Sequence, residues 1–187
     1  RTAADAVMSG QPHGQRALLA ARAADFLNRS VGAERFLCSL APPAIDASLS
    51  DPAAWRGLLL LAAAVGGRVH VLDARAADRL RAFLASGTLS RLTAGRVVFD
   101  RRREGLALYR ECRGISPLVL QAGETGTWDG RYRVVNRTGR SVVVSAAGER
   151  AGHGLHGAVL RASRAAPRLD FEDGEAVPDD VLRIEHV

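Results

Sequence analysis

Nine arginines between residues 101 and 140 have the type and spacing to grip a polyanion. Arg101, Arg102 and Arg103 occupy one turn, Arg110 and Arg113 lie on the strand that follows, and Arg131, Arg133, Arg137 and Arg140 surround the next turn. A guanidinium is a planar fork that holds phosphate oxygens in pairs, and period-two alternation places Arg131 and Arg133 on one strand face, able to meet successive phosphates. Tyr109, Trp128 and Tyr132 lie close to this set. Two roles are open to them: stacking on unpaired bases, or anchoring the core of a small sheet, which large aromatics do more often.

Other chemistries fare worse. Ser9-Gly10-Gln11 has one glycine, whereas a phosphate-cradling loop needs several exposed amides ahead of a helix. His153 and His156 are three apart, but flanking glycines weaken a shared helix face, and a zinc site needs one or two further ligands. No Gly-x-Ser-x-Gly elbow occurs, and Ser116-Pro117 is a turn-like dipeptide. Cys38 and Cys112 belong to no paired CxxC spacing, so both read as core thiols. No catalytic residue and no metal ligand is assigned.

The elements that must position the arginines begin with helices. Leu18, Leu19, Ala23, Phe26 and Leu27 recur at helical spacing after Arg16. A second helical stretch, Glu34 to Leu40, is expected to break at Pro42-Pro43. Ser50-Asp51-Pro52 caps a third helix through Trp55, Leu58 and Leu61 to Val65, which Gly66-Gly67 ends. A fourth is expected from Asp73 to Leu84, stopped by Gly87. Beyond Gly95 the period changes to that of short strands at 97–99, 106–109, 132–135 and 142–144. Turns are expected at 100–105 and, as a hairpin between the last two strands, at Asn136 to Arg140. A short helix around Leu155, Val159 and Leu160 and an edge strand at 181–184 complete the pattern. The predicted class is α+β: a helical bundle over 1–94, then a small, mainly antiparallel sheet domain with a short helix over 95–187.

Composition sets the limits. The chain has 187 residues, 47% hydrophobic and 25% charged, which suits a folded core of one or two domains. All 26 basic residues are Arg, a skew read mainly as codon bias. Charge is uneven along the chain: 13 Arg against 6 acids over 95–164, then 2 Arg against 7 acids over 165–187. A polyanion can use the first block, though simple solvation of a small domain also accounts for it. The apolar run Leu58 to Val65 falls short of the roughly 20 residues that span a bilayer, and no charged-then-apolar leader is visible, so a cytoplasmic location is expected. The chain opens at Arg1, without an initiator Met and inside what reads as a helix, which implies a preceding part.

Several pieces in order resemble the C-terminal region of bacterial tRNA(Ile)-lysidine synthases, of the shorter alphaproteobacterial type. They are Leu59 to Gly67, the helix Arg75 to Leu84, Leu92 to Val98, Arg110-Glu111-Cys112-Arg113, Trp128-Asp129-Gly130-Arg131-Tyr132-Arg133 and Pro178, spanning about residues 56–182. The Trp-Asp-Gly-Arg run is the most specific. Enzymes of that family attach lysine to the wobble cytidine of an isoleucine tRNA, adenylating the base with ATP, on an N-terminal domain of the PP-loop class. The family's Ser-Gly-Gly-x-Asp-Ser loop is absent here. The resemblance therefore implies a tRNA-positioning part, inactive alone, with ATP and Mg bound by the catalytic domain it partners, and with tRNA(Ile) as its ligand. Within that role Arg110, Arg113, Arg131 and Arg133 are the arginines chosen for phosphate contact, with Arg101, Arg102 and Arg103 as flexible second choices, and Trp128 is expected to stack on a base or pack in the core. Asp129-Gly130 is expected to form a tight turn that fixes Trp128 and Arg131, and Glu111 to pair with an arginine across the sheet. The alternative is a protein-interaction or dimerisation module built on the apolar third helix. A small metallohydrolase using His153 and His156 is a distant third.

Overall fold

The computed structural model describes residues 4–34, 36–148, 161–177 and 182–186. Helix α1 (Ala4–Ser30) leads into a hairpin, β1 (Val31–Glu34) and β2 (Leu37–Leu40), and then into α2 (Pro42–Ser50), α3 (Pro52–Val65) and α4 (Ala74–Ala85). A meander of β3 (Arg91–Ala94), β4 (Val97–Arg102) and β5 (Gly105–Arg110) follows. Six further strands follow among the described residues: β6 (Leu118–Leu120), β7 (Thr125–Trp128), β8 (Tyr132–Asn136), β9 (Val142–Ala146), β10 (Pro167–Phe171) and β11 (Leu182–His186). The α+β class holds.

Local chemistry accounts for the helix ends. The Asp51 carboxylate accepts the Ala53 amide at 2.9 Å, and Asp73 accepts that of Ala76 at 2.8 Å, each satisfying a donor the helix leaves open. Gly67 takes a positive φ just past α3, as does Gly87 just past α4.

Three expectations are corrected. Where a helix was expected from Glu34 to Leu40, Glu34 ends β1 and Leu37–Leu40 is β2, paired antiparallel with β1 and joined to β5 through Cys38↔Leu108 and Leu40↔Leu106. Leu40 faces one side of that sheet and Leu37 the other, so the strand is buried on both faces, and such a run cannot be told from a buried helix by period. Pro42-Pro43 starts α2 instead of ending a helix, because the first turn has no use for the missing donors. Residues 136–140 do not form a hairpin between neighbouring strands. Strand β8 pairs with β7 and β11, whereas β9 pairs with β6 and β10. The buried Asn136 side chain steers this crossover, donating to the Leu120, Gln121 and Arg140 carbonyls and accepting from the Thr138 amide.

Among the described residues the single small sheet expected after residue 95 is three sheets, all antiparallel. The largest runs β1-β2-β5-β4-β3 and takes strands from both sides of the period change, which falls inside the β3–β4 hairpin. One face carries Val97, Phe99, Leu106 and Leu108 into a core with Phe26, Ile45, Leu58, Leu80 and Leu84 of the four helices. The other face presents Val98, Ala107 and Tyr109, which pack on Ala162. The sheets β10-β9-β6 and β11-β8-β7 enclose Leu120, Trp128, Tyr132, Val134 and Val144. The expected edge strand appears as β11. The short helix around Leu155 to Leu160, and His153 and His156, lie outside the described residues.

Candidate nucleic-acid interface

The turn between β7 and β8 is the organising feature. Asp129 and Gly130 have φ of 53° and 67°, the paired positive values of a tight hairpin turn, and the Arg131 amide donates back to the Trp128 carbonyl. The turn rests backbone to backbone on the end of α3: a Cβ on Gly67 would meet the Asp129 carbonyl oxygen at 2.2 Å, and one on Gly130 the Gly67 oxygen at 2.6 Å. Two glycine motifs far apart in sequence are thus one contact.

The Asp129 carboxylate is fully buried and gathers three arginines. Arg110 grips it in fork fashion, Nη2 to Oδ1 at 2.6 Å and Nε to Oδ2 at 2.9 Å; Arg131 Nε donates to Oδ2 at 2.9 Å and Arg96 Nη2 to Oδ1 at 3.1 Å. Arg110 also donates to the Arg96 and Glu111 carbonyls, and Arg131 Nη2 to the Ala165 carbonyl at 2.8 Å. The hub therefore ties the β3–β4 turn, the end of β5, the β7–β8 turn and residue 165 together.

This overturns several surface assignments. Arg110 is 1% exposed and committed to Asp129, so phosphate cannot reach it. Arg131 is pinned at 15% exposure and does not share an open face with Arg133. Trp128 is buried, its indole N–H donating to the Ser116 carbonyl at 3.0 Å and its ring 5.8 Å from that of Tyr132, so its role is core packing and not base stacking. Arg133 is exposed on β8, between Thr127 and Glu185 in register. Arg101 and Arg102 belong to β4 rather than to a turn. Arg102 is held by Asp100 at 2.8 Å, Arg101 is half-buried, and Arg103 is exposed. Arg113 is 82% exposed. Glu111 pairs with it along the chain rather than across the sheet, and hydrogen bonding from Arg113, against the opposing effect of burial, holds the Glu111 carboxyl below its usual range. Arg140 is taken by Asp173 and Glu175 of the acidic segment and lies 4.0 Å over the Phe171 ring.

What sequence reasoning missed is a groove of about 480 Å³ on the outer face of the five-stranded sheet. Arg91 of β3, Arg113 after β5, Arg161 and Arg164 are in its lining. Glu111 is the one carboxylate in its lining and Arg110 is buried in the hub; of the other four arginines Arg113 pairs with Glu111 and Arg161 with Asp100, so four guanidinium charges stand against two carboxylates. Arg161 is held in place by Asp100 (2.9 Å) and the Tyr109 hydroxyl (3.2 Å). Burial alone would raise the Asp100 carboxyl, but hydrogen bonds from Arg102 and Arg161 outweigh it and leave it below its usual range. Arg161 and Arg164, three apart on a helical turn, carried a faint signal, whereas Arg91 had none.

Other chemistry finds no support among the described residues. No group of three or more His, Cys, Asp and Glu side chains is placed to hold a metal, and no helix is long and apolar enough to cross a membrane. Burial pushes the Cys38 thiol up, away from the thiolate. Ser9-Gly10-Gln11 is inside α1.

Comparison with known proteins agrees with the resemblance. The chain is 42% identical over 132 residues to the tRNA(Ile)-lysidine synthase of Rhizobium meliloti (strain 1021), covering 71% of this chain and 29% of that one. It is 30% identical over 178 residues to that of Mesorhizobium japonicum, covering 94% and 35%. For the synthase of Bartonella quintana the figures are 35% over 91 residues, 48% and 19%. The chain spans about a third or less of the length of these curated relatives. No family model and no solved structure matches it. The chain is thus similar to a part of the alphaproteobacterial tRNA(Ile)-lysidine synthases, in a proportion consistent with their C-terminal region.

Proposed function

We propose that the chain is the tRNA-recognition portion of a tRNA(Ile)-lysidine synthase, and that its groove of Arg91, Arg113, Arg161 and Arg164 takes the phosphate backbone of tRNA(Ile). The groove is the observation that carries this reading: four arginines from three separate segments converge on one sheet face. Contacts of this kind set the position of a nucleic acid without reading its sequence. Arg133 and Arg103, both exposed, are secondary contacts, and Arg101 and Arg102 are less accessible ones. In this reading lysine ligation belongs to the whole synthase, with ATP and Mg bound by its catalytic part, and this chain is inactive by itself.

The test is binding to tRNA(Ile) across a salt series, with Arg91→Ala and Arg113→Ala combined. Both side chains are exposed, so the fold should tolerate the change. Binding should weaken steeply with salt, and the double variant should lose affinity and reduce the slope by about one to two phosphate equivalents. Binding indifferent to salt and to both arginines would return the chain to the interaction-module reading.

A further inference from the structure

A second cavity, of about 520 Å³, lies between the end of α3, the β1–β2 hairpin and the loop after α3. Its volume falls in the range of roughly 300–1,000 Å³ typical of small-molecule sites, and its character is theirs too, apolar walls with a few polar groups at the edge. Leu37, Leu61 and Val65 form the apolar wall. Val69, at the mouth, is 94% exposed. Beside it Arg68 makes no ion pair or side-chain hydrogen bond among the described residues; Arg131 on the same rim is committed to Asp129, and the exposed Glu34 is the one carboxylate in the lining. An uncommitted guanidinium next to an apolar slot fits a ligand with a flat, weakly hydrated body and one anionic group.

We infer that this cavity binds a nucleoside 5′-phosphate unit, supplied as an unpaired nucleotide of the bound RNA, with the base against Leu37, Leu61 and Val65 and the phosphate on Arg68. The RNA source rests on the proposed tRNA-binding role; the ligand chemistry rests on the cavity. Bases leave a stack only when apolar or aromatic side chains replace it, and this slot offers such a surface away from the groove. The Asp129 hub separates the two sites, since Arg110 lines both.

The chain is titrated with AMP while the methyl signals of Leu61, Val65 and Val69 and the Arg68 Nε–H are followed by NMR. Those signals should move, and Arg68→Gln should weaken AMP while leaving adenosine unchanged. Ala64→Trp, at an exposed position in the lining, should fill the mouth and weaken AMP about tenfold, the cost of one lost base-stacking surface. Val69→Glu, on a side chain too exposed to matter to folding, is the second variant and should repel the phosphate. Toward tRNA(Ile), Ala64→Trp should lower affinity, and Arg68→Gln should lower it and reduce the salt slope by about one phosphate equivalent. Motionless signals with AMP, or tRNA binding that ignores both pocket variants, overturns the inference. An unchanged salt slope in the Arg91/Arg113 double variant overturns the groove reading instead, so the two fail separately.

Discussion

Asp129→Asn tests whether the Trp-Asp-Gly-Arg turn is an electrostatic hub. Asparagine tolerates the left-handed backbone that the φ of 53° requires, so the substitution removes charge with little added strain. Four charge-assisted hydrogen bonds converge on this carboxylate, from Arg96, Arg110 twice and Arg131. Arg96 is 45% exposed and can return to water, so its share is small. Arg110 cannot, being 1% exposed, and would be left as a buried, uncompensated cation. Breaking a buried pair in this way costs about 3–5 kcal/mol. With a urea m-value of about 2 kcal/mol/M for a small protein, the unfolding midpoint should fall by about 2 M. Urea titration followed by tryptophan fluorescence and far-UV circular dichroism measures it, with the exposed Arg103→Ala as a control expected within about 0.5 kcal/mol of the parent. A drop for Asp129→Asn no larger than the control's would refute the hub.

Gly67→Ala should destabilise by more than about 2 kcal/mol, because the new Cβ adopts a positive φ and meets the Asp129 carbonyl; differential scanning calorimetry reads it as a lower Tm. Asp51→Ala should cost about 1 kcal/mol through the lost α3 cap, with little from the exposed Arg22 pair, and combining it with Arg22→Ala should add almost nothing in urea unfolding. The depressed folded-state pKa of Asp100 stabilises the fold above its unfolded value, near 3.8, and that stability is lost as pH falls through the lower folded value. Urea midpoints at neutral pH and below about pH 4 should therefore differ less in Asp100→Asn than in the parent, and an equal difference would remove Asp100 from the acid response.

Much of this protein is legible locally. Asp51-Pro52, Gly66-Gly67, Asp73 and Gly87 mark helix ends because capping and chain reversal are settled within a few residues. The Trp-Asp-Gly-Arg run likewise announces both a tight turn and a family resemblance. Leu37 to Leu40 was not legible, since a short apolar run becomes helix or strand according to what it packs on, and here β5 decides. Nor could the arginines be sorted. Arg110 and Arg113 stand three apart in like surroundings, yet one is buried on a carboxylate 19 residues away and the other stands in solvent. Arg91, Arg161 and Arg164 meet only because three segments converge on one sheet face. Sequence by itself determined which residues carry charge, where helices begin and end, and what the chain resembles. Which charges are desolvated and paired, and which remain for a polyanion, was decided by tertiary structure, because burial and Coulomb attraction depend on distances that strand pairing alone sets.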